Sequence, residues 1–143
     1  MKLLDLNLLL YAVNADSEQH VAARGWLEKA LSSGEEVGVP WVVLLGFLRL
    51  ATNQHVFKKP LTIAKAAALI DGWLALPGVR AVAPGEGHWE ILHPLLAKAG
   101  SNANLTTDAH LAALAIELGA ELCSTDSDFA RFRGVRWVNP LDA

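Results

Sequence analysis

Short apolar runs alternate along this chain with longer segments whose apolar residues recur at helical spacing. This alternation constrains the fold more than any other feature. Parallel strands need long crossover connections, which are usually helices, so a strand–helix alternation is typical of an α/β fold. Pro40 ends the second apolar run, as expected of a residue that cannot donate to a central ladder. The sequence therefore predicts an α/β domain whose central, mainly parallel sheet has about five strands.

The hydrophobic pattern also predicts the individual elements. The predicted strands are 2–5, 37–40, 79–82, 121–124 and 136–138. The predicted helices are 6–13, 16–31, 41–52, 62–76, 86–98 and 106–118. Asp16 followed by Gln19 indicates where the second helix begins, and Gly119 indicates where the last one ends. Because the 143 residues contain no repeat or linker, we expect residues 1–143 to form a single domain.

Composition limits the classes of protein to which the chain can belong. A hydrophobic fraction of 52% with 19% charged residues excludes a disordered chain. The net charge of −3 gives no overall attraction to polyanions, so a nucleic acid would be held by a local basic patch or through a metal. The single cysteine, Cys123, excludes an internal disulfide and fits a reducing compartment. With no apolar stretch long enough to span a membrane, the chain is predicted to be cytoplasmic.

Four aspartates are predicted to meet at one edge of the sheet. Asp5 ends the first strand, and Asp126 and Asp128 follow the fourth. Asp108 lies in the first turn of a crossover helix, which begins at the same edge. Any one of these acids by itself is more often a turn residue or a helix cap. Their convergence from three distant parts of the chain favours a shared site instead.

Clustered carboxylates repel one another and raise one another's pKa values unless a cation neutralises them. Oxygen ligands suit a hard cation, and Mg²⁺ bound by a few carboxylates keeps waters for contact with phosphate. Such a cation can polarise a phosphodiester and activate a water. The pattern therefore predicts a Mg²⁺ or Mn²⁺ site built from Asp5, Asp108 and Asp126, with phosphodiester hydrolysis as its chemistry.

The other polar and aromatic residues are weaker candidates. His110 lies on a different helix face from Asp108, and none of the five histidines is given a catalytic role. The five tryptophans occupy mostly apolar positions, which predicts core packing over base stacking. Arg131 and Arg133 lie just beyond the acidic turn, where they are well placed to bind a phosphate backbone. Further candidate phosphate contacts are Arg49, Lys58, Lys59 and Arg136.

Three segments, in this order, resemble the motifs of the PIN domain, and closely those of the VapC toxins of bacterial toxin–antitoxin pairs. Leu4–Asn7 resembles the opening Asp-x-Asn of that family. The segment Thr107–Ala115 is similar to its acidic helix start, and Ser124–Phe129 to the block that closes its site. Order, spacing and total length all match, so the resemblance covers essentially the whole chain.

This resemblance implies a three-layer α/β/α fold and an endonuclease that cleaves RNA. It also implies a homodimer and a cognate VapB-type antitoxin whose C-terminal segment covers the site. The implied metal ligands are Asp5, Asp108 and Asp126. The implied supporting residues are Asn7, Thr125 and Asp128.

One position departs from the family pattern. The family usually supplies a further acid, a glutamate, from the helix after the second strand, and the matching position here is Gly46. The remaining carboxylates can hold one metal ion, whereas a second metal ion would lack the ligand that the glutamate supplies. Arg49, one helical turn further on, is a candidate for contact with phosphate from the same helix.

Two other functions remain open on the sequence. One is a protein that binds RNA or an antitoxin without turnover, because Gly46 removes an acid. The other is a small phosphohydrolase with an aspartyl nucleophile after the first strand, which is disfavoured because that chemistry needs a second acid where this chain has Asn7. A DNA nuclease is also disfavoured, because the chain has no room for the extra helices that clamp DNA.

Overall fold

The computed structural model describes residues 1–99 and 105–142. The strands are β1 (Lys2–Leu4), β2 (Val37–Pro40), β3 (Val79–Val82), β4 (Glu121–Cys123) and β5 (Arg136–Val138). The helices are α1 (Leu6–Val13), α2 (His20–Ser32), α3 (Trp41–Ala51), α4 (Ile63–Leu74), α5 (His88–Ala99), α6 (Thr106–Leu118) and a short 3₁₀ helix (Ser127–Arg131). None of the helices in this part of the chain has the length and hydrophobicity needed to cross a membrane.

The five strands form one parallel sheet in the order β3-β2-β1-β4-β5, which confirms the predicted fold class. From β1 the chain builds the sheet outward to β3, and then returns to the other side of β1 with β4. Because crossover connections are right-handed, this reversal puts α1 to α4 on one face of the sheet and α5 with α6 on the other. The sheet is thus the middle of three layers, and its switch point lies beside β1, where α/β sheets bind ligands.

Helix α6 is the most deeply buried helix of the fold. Its residues from Leu111 to Ala115 are at most 1% exposed, as is Ala109. Alanines on several sides let the helix lie close to its neighbours, which explains why its sequence is apolar on most faces rather than along one stripe. The prediction that this segment is enclosed within the fold is confirmed.

The prediction that α2 begins at Asp16 is wrong, because the helix begins at His20. The side chain of Gln19, expected to mark the start of the helix together with Asp16, instead accepts a hydrogen bond from Ser17 Oγ at 2.8 Å. The backbone N–H of Gln19 donates to the same hydroxyl at 3.2 Å. Ser17 and Gln19 therefore stabilise a turn that delays the helix.

The core prediction for the tryptophans holds for three of the five. Trp26, Trp73 and Trp137 pack against the buried core. It is wrong for Trp41 and Trp89, which are 52% and 59% exposed in the first turns of α3 and α5. Helical spacing identifies apolar positions but does not show whether a neighbouring element covers them.

Cys123 lies in β4 and is buried among core residues. Burial is the largest cause that raises the pKa of its thiol to about 12. The thiol is therefore not ionised at neutral pH, as is typical of an inert, structural cysteine.

Two leucine substitutions test this description of the core. Leu114 of α6 is fully buried, so Leu114→Ala is expected to lower the free energy of unfolding by about 2–5 kcal/mol. The matched control is Leu45→Ala in α3, where the leucine is 59% exposed and the expected change is within about 0.5 kcal/mol. Urea unfolding followed by circular dichroism measures both values. Equal losses in the two variants would contradict the assigned core.

Candidate metal centre

A cavity of about 180 Å³ opens at the carboxyl ends of the central strands. All three predicted metal ligands share it, since Asp5, Asp108 and Asp126 line its wall. The remaining lining residues are Leu6, Asn7, Val42, Val43, Thr107 and Leu111. The cavity therefore has an acidic side, and an apolar side formed by α1, α3 and α6.

Asp5 is held at the point where β1 ends and α1 begins. Its carboxylate accepts a hydrogen bond from the backbone N–H of Leu6 at 2.7 Å and one from Ser124 Oγ at 2.6 Å. The residue is only 7% exposed, so these two bonds offset part of the cost of burying its charge. Each carboxylate oxygen keeps a further lone pair with which to bind a cation.

Ser124 is a site residue that the sequence did not reveal. It is fully buried, and its hydroxyl donates to Asp5 while accepting from the backbone N–H of Asp126 at 3.0 Å. Within the described chain, the side chain of Thr125, the predicted supporting hydroxyl, makes no hydrogen bond. The parallel register pairs Leu4 with Cys123, which puts Ser124 beside Asp5, and register is not readable from a single sequence.

Three other carboxylates form a tight cluster at the mouth of the cavity. Asp108, Asp126 and Asp128 each offer one carboxylate oxygen, and these atoms all lie within 4.8 Å of one another. Asp126 caps the 3₁₀ helix by accepting a hydrogen bond from the backbone N–H of Asp128 at 2.9 Å. Asp128, predicted to be a supporting residue, is therefore placed where it can contact a cation, and Asp5 lies deeper in the same cavity.

The pKa values of two aspartates in the site are raised by this arrangement. Burial, followed by the charges of the three other aspartates, raises the pKa of Asp108 to about 6, although Arg131 opposes the shift. Burial also raises the pKa of Asp5, against the hydrogen bonds that lower it. Since both shifts arise from carboxylates gathered in a partly enclosed space, a bound cation would relieve them.

The predicted phosphate contacts occupy different places. Arg131 lies beside the acidic cluster, with Nη2 at 3.4 Å from Asp128 Oδ1. Arg133 is exposed two residues further on. Arg136 lies at the opposite edge of the sheet, where it donates to the carbonyl of Gly119, so the expectation for this residue is wrong. Arg49, Lys58 and Lys59 are exposed and do not line the cavity.

Gly46 lies at a close approach between α3 and α1. A Cβ atom at this position would lie 2.8 Å from Leu6 Cδ2, and Leu6 itself lines the cavity. A glutamate at position 46 would therefore have to displace the leucine. From α3 the cavity receives only Val42 and Val43, so no fourth acid is supplied from that side.

The crowded carboxylates predict that removing one charge stabilises the metal-free protein. The folded protein holds the proton of Asp108 more tightly than the unfolded chain, so stability falls as pH rises from 3.8 to about 6. Asp108→Asn is therefore expected to raise the unfolding midpoint in EDTA at pH 7, and this gain should shrink as pH falls below about 6 and be lost near pH 3.8. Thermal unfolding measures it, with Asp71→Asn on the exposed surface of α4 as control. A lower midpoint for Asp108→Asn at pH 7 would contradict the electrostatic account.

Comparison with known proteins agrees with this geometry. A profile of the PIN domain family matches residues 2–135. Ribonuclease VapC37 of Mycobacterium tuberculosis is 49% identical over 140 residues, which cover 98% of this chain and 97% of the relative. Ribonuclease VapC43 of the same species is 42% identical over 142 residues, which cover 99% and 97%.

A solved structure also shares the fold. VapBC2 from Rickettsia felis, bound to a DNA fragment from its promoter, matches with a TM-score of 0.67 at 18% identity, over 96% of this chain and 97% of the other. At this identity the structural similarity shows the fold alone, whereas the family profile and the closer relatives show the kinship. The chain belongs to the PIN domain family, and within it to the VapC group.

Proposed function

We propose that this chain is a metal-dependent endoribonuclease that hydrolyses RNA phosphodiester bonds. The observation that carries the proposal is the meeting of Asp5, Asp108 and Asp126 in one cavity, with Asp108 and Asp126 also part of a tight carboxylate cluster. Relatives at 42–49% identity over nearly the whole chain are named ribonucleases. The substrate class is taken from those names, and the chemistry from the site.

The same relatives support a role as the toxin of a toxin–antitoxin pair. The structural neighbour from Rickettsia felis is a VapBC complex on promoter DNA, so an antitoxin of the VapB type is the partner that we propose. We also propose a homodimer, and activity in the cytoplasm, where RNA substrates and a reducing environment suit a chain with one unpaired cysteine.

The residues present fit a hard divalent cation, and we propose Mg²⁺ or Mn²⁺. All the candidate ligands are carboxylate oxygens, which these ions prefer over nitrogen or sulfur. Asp5, Asp108 and Asp126 would hold the ion, with Asp128 at the mouth as a supporting or alternative ligand. Because Gly46 is packed against Leu6 and α3 supplies no acid, the site is proposed to hold one cation rather than two.

In the proposed reaction each residue of the site has a distinct part. A divalent cation, when bound, supplies Lewis-acid polarisation of the phosphodiester and activation of a water. Ser124 fixes the orientation of Asp5 and the backbone of Asp126, so the ligands are arranged before the ion enters. The pKa of Asp108 is raised to about 6, so its carboxylate is mostly ionised at neutral pH and would be available to hold the ion.

Arginine side chains beside the site are proposed to position the RNA. Arg131 is half exposed, and its contact with Asp128 is long, at 3.4 Å, so exchange of this partner for a phosphate costs little. Arg133, which is exposed two residues further on, would extend the contact along the backbone. The apolar wall of Leu6, Val42 and Val43 limits the access of bulk water to the reacting phosphate.

A second function is favoured by one observation. The apolar α3 wall at Gly46 lacks the acid that the family usually supplies there, which favours a protein that binds RNA or antitoxin with weak or no turnover. Tight binding of RNA without cleavage under Mg²⁺ and Mn²⁺ would identify this second function.

Asp5→Asn tests the proposed reaction. The amide keeps an oxygen for the Leu6 N–H and removes the charge that binds the cation, so the fold is expected to persist and RNA cleavage to fall to the level seen in EDTA. Gel analysis of a structured RNA with Mn²⁺ measures this. Asp16→Asn, in an exposed turn, is the control and should cleave like the native chain. Equal cleavage by the Asp5→Asn protein would refute the assignment.

Neighbouring hydroxyls test the positioning role of Ser124. Ser124→Ala is expected to weaken Mn²⁺ binding roughly 10–100-fold, because a ligand loses the hydrogen bond that orients it. Thr125→Val removes the adjacent hydroxyl and should leave affinity unchanged, and Ser124→Thr should retain most of it. Titration calorimetry gives the affinities. If Thr125→Val weakens binding as much as Ser124→Ala, the supporting hydroxyl has been assigned to the wrong residue.

A further inference from the structure

A pair of histidines joins α5 to α6 on the side of the sheet away from α1 to α4. His88 begins α5, and its Nε2 lies 2.9 Å from Nδ1 of His110 on α6. The other ring nitrogen of His88, Nδ1, lies 3.2 Å from Oε1 of Glu117, two turns further along α6. The side chains of His88 and Glu117 are 12% and 20% exposed, so the group is half-buried but open to small ions.

The hydrogen-bond partners decide which nitrogen of each imidazole ring carries the proton. The carboxylate of Glu117 only accepts, so Nδ1 of a neutral His88 carries the proton and Nε2 presents a lone pair. Nδ1 of His110 then donates to that lone pair. A single proton therefore lies between two imidazole nitrogens that both have the chemistry of metal ligands.

We propose that His88 and His110 form a second metal site, for a borderline transition-metal ion such as Zn²⁺, which replaces the proton between the two rings. The site is separate from the carboxylate centre in its donors, since it offers nitrogen where the aspartates offer only oxygen. Two imidazoles bind the ion, and water completes its coordination. The proton of His110 moves by way of solvent from Nδ1 to Nε2 of the same ring, so both rings bind the ion as neutral imidazoles and no proton is lost overall.

Glu117 supplies a carboxylate that accepts the N–H of a ligating histidine. Histidines that bind metal almost always donate their other N–H to a carboxylate or carbonyl, which fixes the tautomer and makes the ligating nitrogen more basic. The contact between Glu117 and His88 has this form before any ion is present. Glu117 is itself oriented, because its other oxygen accepts a hydrogen bond from the backbone N–H of Gly85.

Binding of an ion requires the two nitrogens to move slightly apart and the two rings to turn. Zinc–nitrogen bonds of about 2.0–2.1 Å at a tetrahedral angle put the two nitrogens about 3.3 Å apart, compared with the 2.9 Å of the hydrogen bond. Rotation of both rings would supply these few tenths of an ångström and would turn the two lone pairs from the line between the nitrogens toward the ion. Because the ligands come from two helices, the bound ion would crosslink α5 to α6 and stabilise the folded chain as its concentration rises.

The experiment is a Zn²⁺ titration of the full chain in saturating Mg²⁺, which on the proposed function occupies the carboxylates of Asp5, Asp108 and Asp126. The unfolding midpoint is expected to rise progressively with Zn²⁺, and Glu117→Gln should weaken the apparent affinity roughly 10–100-fold. His110→Asn should abolish the response, because the amide can still donate to Nε2 of His88 but is a poor metal ligand. The matched control is His93→Asn, which replaces an exposed histidine of α5, the helix that also carries His88. This variant should respond like the native chain.

A spectroscopic measurement gives an independent outcome. With one equivalent of Cu²⁺, electron paramagnetic resonance of the native chain should show coupling to two imidazole nitrogens, reduced to one in His110→Asn. The proposal is overturned by a midpoint that does not rise with Zn²⁺, by an equal rise in His110→Asn, or by a Cu²⁺ spectrum without two coupled nitrogens. If His110→Asn does not fold, Glu117→Gln and the native Cu²⁺ spectrum decide the question. This result is independent of whether the chain cleaves RNA.

Discussion

The hydrogen bond from Ser124 Oγ to Asp5 joins the ends of β1 and β4, the two strands between which the sheet reverses its order. A carboxylate at the end of a buried central strand would lose its hydration, and this contact, with the N–H of Leu6, replaces part of it. The same hydroxyl accepts from the backbone of Asp126, so one buried side chain sets the positions of two acids. The rest of the acidic cavity is built around this point.

The site combines stabilising hydrogen bonds with unfavourable electrostatics. Burial of Asp108, together with its closeness to other carboxylates, raises its pKa, which means that the folded, metal-free protein carries a free-energy cost at neutral pH. The apolar side of the cavity increases this cost, because charges interact more strongly where water is reduced. Such strain is common at functional sites, where local stability is lost in exchange for ligand binding. The deeply buried core of α6 and the sheet provides the stability that tolerates it.

Helix α6 contacts three different parts of the structure along its length. Its first turn presents Asp108 to the cavity, its middle is enclosed in the core, and its side toward α5 carries His110 and Glu117. His110 is two residues from Asp108, and it contacts His88 and does not line the cavity, in agreement with the different helix face that its position predicts. Its actual partner, His88, lies on another helix and is distant in sequence, so helix periodicity could not identify it.

Local chemistry in the sequence was sufficient to determine the α/β class, the parallel sheet, five strand positions and the aspartates at its edge. Strand periodicity and the placement of acids after strands depend only on neighbouring residues and on the rule that parallel strands end at a common edge. The tertiary structure alone decided which hydroxyl supports Asp5, because Ser124 rather than Thr125 follows from the register of β1 with β4. It also decided the exposure of Trp41 and Trp89, which depends on whether another element covers a helix face. Contacts between residues far apart in the chain require the packed fold, and a single sequence carries no local signal for them.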